Sequence, residues 1–387
     1  MTLLRLPNEA GGTTKVALHP AQYPDCSRHA NWNRTAFAAA HVVTNPLATY
    51  SPTLDSAIDW DATLAYRSHL WRHGFGVAEA MDTAQRGAGL TWPDALKLIR
   101  ETARWAKAEG CPVASGAGTD HLDPGKPWRM EDIIDAYRFQ CEAIEQAGSR
   151  VILMSSRALA ANAKSAEDYF RVYHEVLRSL EHPAILHWLG SAFDPALSGY
   201  WGADNQTEAT EHCLAVIKEN QSNVCGIKIS LLDPAIEISL RNRLPAQVQM
   251  LTGDDFNYPE LIAGDDKGHS GALLGIFDSI APVASKALSA LSEGDKELFH
   301  TLLGPTVPLS RHIFCNPTQF YKVGTVFLAY LNGYQSHFTM LGGLESARST
   351  LHLARLIELA NNAQLFHDPD LVAYRARAFF TCRGVSV

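Results

Sequence analysis

The sequence predicts an α/β protein, a (β/α)8 TIM barrel followed by a C-terminal helical domain, and three observations carry that reading. Eight short apolar runs follow one another along the chain. Longer stretches with a helical period separate them. Beyond Pro282 the strand-like runs stop while the helical patterns continue. Runs that are apolar throughout, rather than alternating, suit strands buried on both faces of a parallel sheet.

Residues 1–33 contain Pro7, Gly11, Gly12, Pro20 and Pro24 without a sustained period and read as a surface extension. The barrel is expected over 34–283 and the helical region over 284–387. The first strand is 35–43, ending in Thr44-Asn45-Pro46; a helix over 61–73 leads to the second strand, 76–81. A helix over 94–109 enters the third strand, 112–115, which leaves through Gly116-Ala117-Gly118-Thr119-Asp120. The next helix, 129–146, places Met130, Ile133, Ile134, Tyr137, Cys141 and Ile144 on one face. Strands four to eight are 151–154, 184–189, 224–229, 248–251 and 272–276. Past them, 317–331 and 344–360 are helical, joined by the glycine-bearing segment 333–343.

With 387 residues, 46 % of them hydrophobic, the chain has material for a large core. Its net charge of -8 and scattered Lys and Arg give no electrostatic footprint for nucleic acid or an anionic membrane, so a small-molecule partner is expected. The cysteines, Cys26 among them, number seven, an odd count, and form no C-x-x-C; neither a disulfide framework nor a thiolate zinc site is indicated. Residues 1–14 lack the regions of a signal peptide, and no apolar run approaches the ~18 residues that span a bilayer. A cytoplasmic location follows as an expectation.

In a barrel the active site gathers groups at the carboxyl ends of the strands. Strand by strand these are His41 and Thr44; Asp82, Thr83 and Arg86; Asp120 and His121; Ser155, Ser156 and Arg157; His187; Lys228; Asp254 and Asp255; and His269 and Ser270 near the eighth. Lys228, within Val224-Cys225-Gly226-Ile227-Lys228-Ile229-Ser230, is the one lysine of the set. Burial disfavours the charged form and pulls a lysine pKa from about 10.4 toward about 7 to 8, which makes the amine a nucleophile toward carbonyls. A lysine whose stem is buried and whose head reaches solvent is the other reading of the same residues.

Gly226-Ile227-Lys228 on the sixth strand, followed by Leu251-Thr252-Gly253-Asp254-Asp255 on the seventh, resembles the dihydrodipicolinate synthase and N-acetylneuraminate lyase family. There a G-I-K segment carries the lysine that forms a Schiff base with a 2-oxo acid, and the next strand ends in S-G-D-D. Leu90-Thr91-Trp92, Pro112-Val113-Ala114-Ser115-Gly116, Gly268-His269-Ser270-Gly271 and Gly294-Asp295 match in order. The similarity runs from about Thr35 to Gly343, thin in identity. It implies a class I aldolase-like lyase without a cofactor or metal, acting on a 2-oxo acid or sugar-derived oxo acid, and a homo-oligomer, dimer or tetramer.

The departures mark a divergent branch. Where the family has G-[ST]-T-G-E to grip the substrate carboxylate, this chain has Asp82-Thr83-Ala84-Gln85-Arg86. The tyrosine of the family's Y-N-x-P on strand five is replaced by His187 in Leu186-His187-Trp188-Leu189-Gly190, and an aromatic-rich segment after strand four by Ser155-Ser156-Arg157.

The resemblance makes Lys228 the Schiff-base nucleophile, with a buried ion pair to Asp254 or Asp255 as its structural alternative. His187 is a candidate for the acid-base step, since imidazole titrates near neutrality, or a hydrogen-bonded core histidine. Thr83 is a candidate proton relay or carboxylate ligand. For substrate binding the candidates are Asp82, Arg86, Arg157, Ser155, Asp254 and His269. The two arginines offer planar forks for a carboxylate or pair with neighbouring acids, and Asp254 alternatively caps its loop. Two further hypotheses stand beside this one: a metal-dependent lyase or isomerase using His41, Asp82, Asp120, His121, His187 and Asp254, and a catalytically silent barrel that binds a sugar acid.

Overall fold

The structure, a computed structural model, describes residues 2–22, 31–51 and 56–386. It begins with a two-stranded antiparallel hairpin, β1 (Thr2–Pro7) and β2 (Thr13–Leu18). The sequence reading of this region as an extension without period is corrected here. Leu4 and Leu6 are buried between exposed Leu3 and Arg5, an alternation too short to stand out from its surroundings. Asn8 closes the turn, its amide N–H donating to the Gly12 carbonyl and its side-chain oxygen accepting the Gly12 N–H. Pro24 and Cys26 lie outside the described residues; the other six cysteines form no disulfide.

The eight predicted barrel strands are all present: β3 (Ala36–Ala39), β4 (Gly76–Glu79), β5 (Val113–Ala117), β6 (Arg150–Met154), β7 (Ala184–Leu189), β8 (Val224–Ser230), β9 (Gln249–Thr252) and β10 (Gly271–Leu274). All pairs are parallel, neighbours in sequence are neighbours in space, and β10 closes on β3. Two compact units divide the chain. One comprises Arg34–Ala40 and Phe75–Gly275; the other comprises Met1–Asn33, His41–Gly74 and Ile276–Val387.

The first unit is the barrel. Its lumen is filled by Ala39, Ala78 and Ala114 from β3 to β5, against Ile152, Ile185, Leu251 and Leu273 from β6, β7, β9 and β10. Side chains alternate along a strand, so the next lumen layer toward the carboxyl ends falls two residues on. That layer holds Gly116, Met154, His187, Lys228 and Gly253. Between β7 and β8 the register slips once: Ala184 faces Val224 but Ile185 faces Gly226, which leaves Cys225 without a counterpart and brings His187 opposite Lys228. Helices Trp92–Glu109 and Met130–Gln146 match the expected amphipathic segments, the first ending on Gly110 at φ 66, a left-handed conformation suited to glycine.

The second unit is helical apart from the hairpin. Helices Trp60–Arg72, Ile276–Ser292, Lys296–Leu303, Thr306–Ile313, Lys322–Leu331, Thr350–Asn362 and Pro369–Cys382 belong to it. The helix expected over 344–360 starts instead at Thr350, because the Ser349 hydroxyl accepts the His352 N–H and caps it there. His41 and Asp278 form a buried knot in this unit. The Asp278 carboxylate accepts the His41 main-chain N–H at 2.8 Å and meets the imidazole Nδ1 at 2.9 Å. Tyr66 donates its hydroxyl to the Asp278 carbonyl, and Arg67 donates to the His41 carbonyl. No helix among the described residues is long and apolar enough to cross a membrane.

Candidate active site

Lys228 sits mid-strand on β8 and is 8 % exposed. The residue across from its stem has no room for a side chain: a Cβ at Gly253 would lie 2.7 Å from Lys228 Cε and 2.6 Å from the Ile229 carbonyl. Burial draws the ammonium down to about 8, against the opposing pull of the Asp255 and Asp82 carboxylates. At neutral pH roughly a tenth of such a group is the free amine, against about 0.04 % for an ordinary lysine.

His187 stands beside Lys228 across the β7–β8 pair, its Nε2 3.3 Å from Ser230 Oγ and its buried Nδ1 without a hydrogen-bond partner. Burial, with the neighbouring Lys228 charge, holds the imidazole well below its usual titration range. The sequence reading expected an imidazole titrating near neutrality; its surroundings make it a neutral ring instead. Such a ring still accepts or relays a proton.

One cavity of about 390 Å3 opens over the exits of β4 to β7 and brings together Asp82, Arg86, Ser155, Arg157 and His187. Lys228 itself is not among the residues that line the cavity; it is linked to two that are, His187, its register partner, and Asp82, whose charge acts on the amine. The roles of the polar residues are unequal. Arg86 donates from Nε and Nη2 to the two Asp120 oxygens at 2.7 Å each, from Nη2 also to Gln140, and from Nη1 to the Ala80 and Gly116 carbonyls. Its guanidinium is consumed in bracing the loops after β4 and β5, so the clamp expected of it is not on offer. Ser155 donates its hydroxyl to the His187 carbonyl at 2.9 Å and accepts the Leu189 N–H, continuing the β6–β7 ladder. Arg157, half-exposed, donates from Nε to Asp194 at 2.5 Å.

Other predicted residues fall elsewhere. Thr83 is buried in the short 3-10 turn Asp82–Ala84 and does not line the cavity. Asp254 accepts the main-chain N–H groups of Phe256 and Asn257 and the Asn257 side-chain amide, which is the loop-capping alternative. His269 precedes β10, so it stands at the amino end of the strand, away from the exits; it is exposed, and the Arg34 and Arg241 charges bear on it. Of the six residues grouped above as metal ligands, Asp82, Asp120 and His187 line the same cavity, but the set is not assembled around one point. Asp120 binds Arg86, His121 Nδ1 meets Gln140, and His41 belongs to the other unit. Among the described residues no group of three or more His, Cys, Asp or Glu is placed to hold a metal.

Sequence reasoning missed Asp194 and Leu197, which reach the cavity from the long segment 190–205. The signal was its length, since most strand-to-helix connections run about 2–6 residues and longer ones are often functional. It also missed Tyr200, a buried hydroxyl that accepts the Ser156 N–H at 3.0 Å and meets the Tyr173 hydroxyl at 2.9 Å.

A parallel barrel of eight strands with helices between them and a helical C-terminal region is the dihydrodipicolinate synthase fold, and solved structures of that family match it. Dihydrodipicolinate synthase from Aquifex aeolicus matches with a TM-score of 0.64 at 14 % identity, covering 86 % of this chain and 98 % of that one. YagE, a prophage protein of the same family from E. coli K12 solved in complex with pyruvate, matches with a TM-score of 0.66 at 16 % identity, covering 86 % and 99 %. The pyruvate-complexed, chloride-inhibited enzyme from Acinetobacter baumannii gives 0.63 at 16 %, covering 86 % and 99 %. At these identities the likeness shows the fold. No curated protein matches the chain. By sequence the chain belongs to the family described as protein of unknown function (DUF993), whose model matches residues 4–385.

Proposed function

We propose that this protein is a Schiff-base-forming lyase that makes or breaks a carbon–carbon bond, or eliminates water, in a 2-oxo acid through Lys228. The observation that carries the reading is a buried lysine amine held near a pKa of about 8 on the sixth barrel strand, register partner of His187, which lines a cavity at the carboxyl ends of the strands. The free amine adds to the C2 carbonyl, and the carbinolamine loses water to leave an iminium. That cation draws electrons from the adjacent carbon, which permits bond cleavage, addition or loss of a β-hydroxyl. To His187 and Asp82, which line that cavity, we assign the proton movements. The likeness to family members solved with pyruvate supports a 2-oxo acid as the substrate class.

Borohydride reduction during incubation with pyruvate and other 2-oxo acids tests this directly. Intact-mass measurement is expected to show one stable adduct per chain for the wild type and none for Lys228→Arg. An unmodified wild type across the panel, or an adduct that survives Lys228→Arg, removes the proposal.

A further inference from the structure

We infer that the 2-oxo acid taken by the cavity carries an apolar arm, an alkyl or aryl chain, rather than a polyhydroxylated one. Anchoring of its carbonyl rests on the Schiff-base reading above; the nature of the arm rests on the walls. The apolar part of those walls includes Leu122, Trp128, Met154, Ala161, Leu189 and Leu197. The one polar atom in that set, Trp128 Nε1, already donates to the Asp123 carbonyl at 2.9 Å.

Most of the polar groups that share the cavity are turned toward one another; an exception is Lys126, largely exposed and 3.5 Å from Asp123. Arg86 is held by Asp120 and Arg157 by Asp194. The Thr119 and Ser156 hydroxyls meet at 2.6 Å, and Ser156 also caps the helix Arg157–Asn162 through the Leu159 N–H. Asn162 donates to the Ala158 carbonyl and accepts the Trp128 N–H. A chain of substrate hydroxyls would leave water for a surface with few donors and acceptors left to meet it, and an unpaired buried hydroxyl is costly. A hydrocarbon arm has the opposite balance: each buried methylene adds roughly fourfold to affinity. Pyruvate alone would leave most of the 390 Å3 unfilled.

The test titrates wild-type protein with pyruvate, 2-oxobutyrate, 2-oxohexanoate, phenylpyruvate and 2-oxo-3-deoxygluconate under borohydride, reading adduct by intact mass. The half-saturating concentration should fall about three- to fivefold per added methylene, with phenylpyruvate at least about tenfold below pyruvate and the deoxy sugar acid no tighter than pyruvate. Leu189→Asp, at a partly exposed wall position, should flatten the series. Calorimetry with the matching 2-hydroxy acids reads the arm without a carbonyl, so the two readings fail separately. Absence of any adduct, with chain-length dependence kept among the hydroxy acids, removes the Schiff base and supports the apolar arm. Adduct formation or hydroxy-acid binding with no gain along the series, or tightest binding of the sugar acid, overturns the apolar arm. Binding in neither series overturns both.

Discussion

Lys228 is pulled in two directions: burial favours the free amine, while Asp255 and Asp82 favour the ammonium. With the balance at about 8, the rate of adduct trapping should climb roughly tenfold per pH unit below that value and level off above it. Asp255→Asn removes one of the two carboxylates and should move the midpoint of the pH–rate profile to lower pH; a midpoint unmoved or raised contradicts the balance. The position of this lysine was readable from Gly226-Ile227-Lys228 on an apolar strand, and the position of His187 from the strand before it. The protonation state of His187 was not. It depends on how completely the ring is buried and on a cation one strand away, neither of which a one-dimensional pattern records.

Among the elements, the eight strands were legible because each is apolar on both faces, as strands under a coat of helices must be. Their ends shifted by a few residues wherever a loop or helix claimed the next one, as when Ile276 opens a helix instead of closing β10. Loop chemistry was harder. Arg86 and Asp120 lie 34 residues apart, and only the approach of the loops after β4 and β5 selects one carboxylate for that guanidinium. The pair is mostly buried, so Asp120→Ala, which strands the Arg86 charge, should cost about 3–5 kcal/mol in urea unfolding. Arg157→Ala breaks a half-exposed pair and should cost about 1 kcal/mol or less by the same measurement. Comparable losses for the two would mean that Arg86 is not the brace its contacts describe.

The whole molecule is threaded rather than partitioned, since each compact unit takes its residues from separate stretches of chain. Asp278 and His41, partners in one unit, are separated by 237 positions. Asp278→Ala would leave the His41 ring and main-chain N–H without their buried acceptor, at a cost of about 3 kcal/mol or more. Asp278→Asn, which keeps an oxygen in place, should cost less, and equal thermal unfolding of the two variants would contradict this account. At this same scale the slipped register at Cys225 has a meaning larger than its size. The side to which a strand residue points is a matter of odd and even counting. One supernumerary residue inverts the count for all that follows on β8 relative to β7. With an unslipped ladder Ile227 would stand beside His187 and Lys228 would turn its amine out toward the helices, in a barrel of the same fold and composition. The side on which the amine stands thus hangs on a parity bit, and a chain that kept Cys225 but paired it straight across to Ile185 would keep the architecture and carry its amine on the wrong side of the wall.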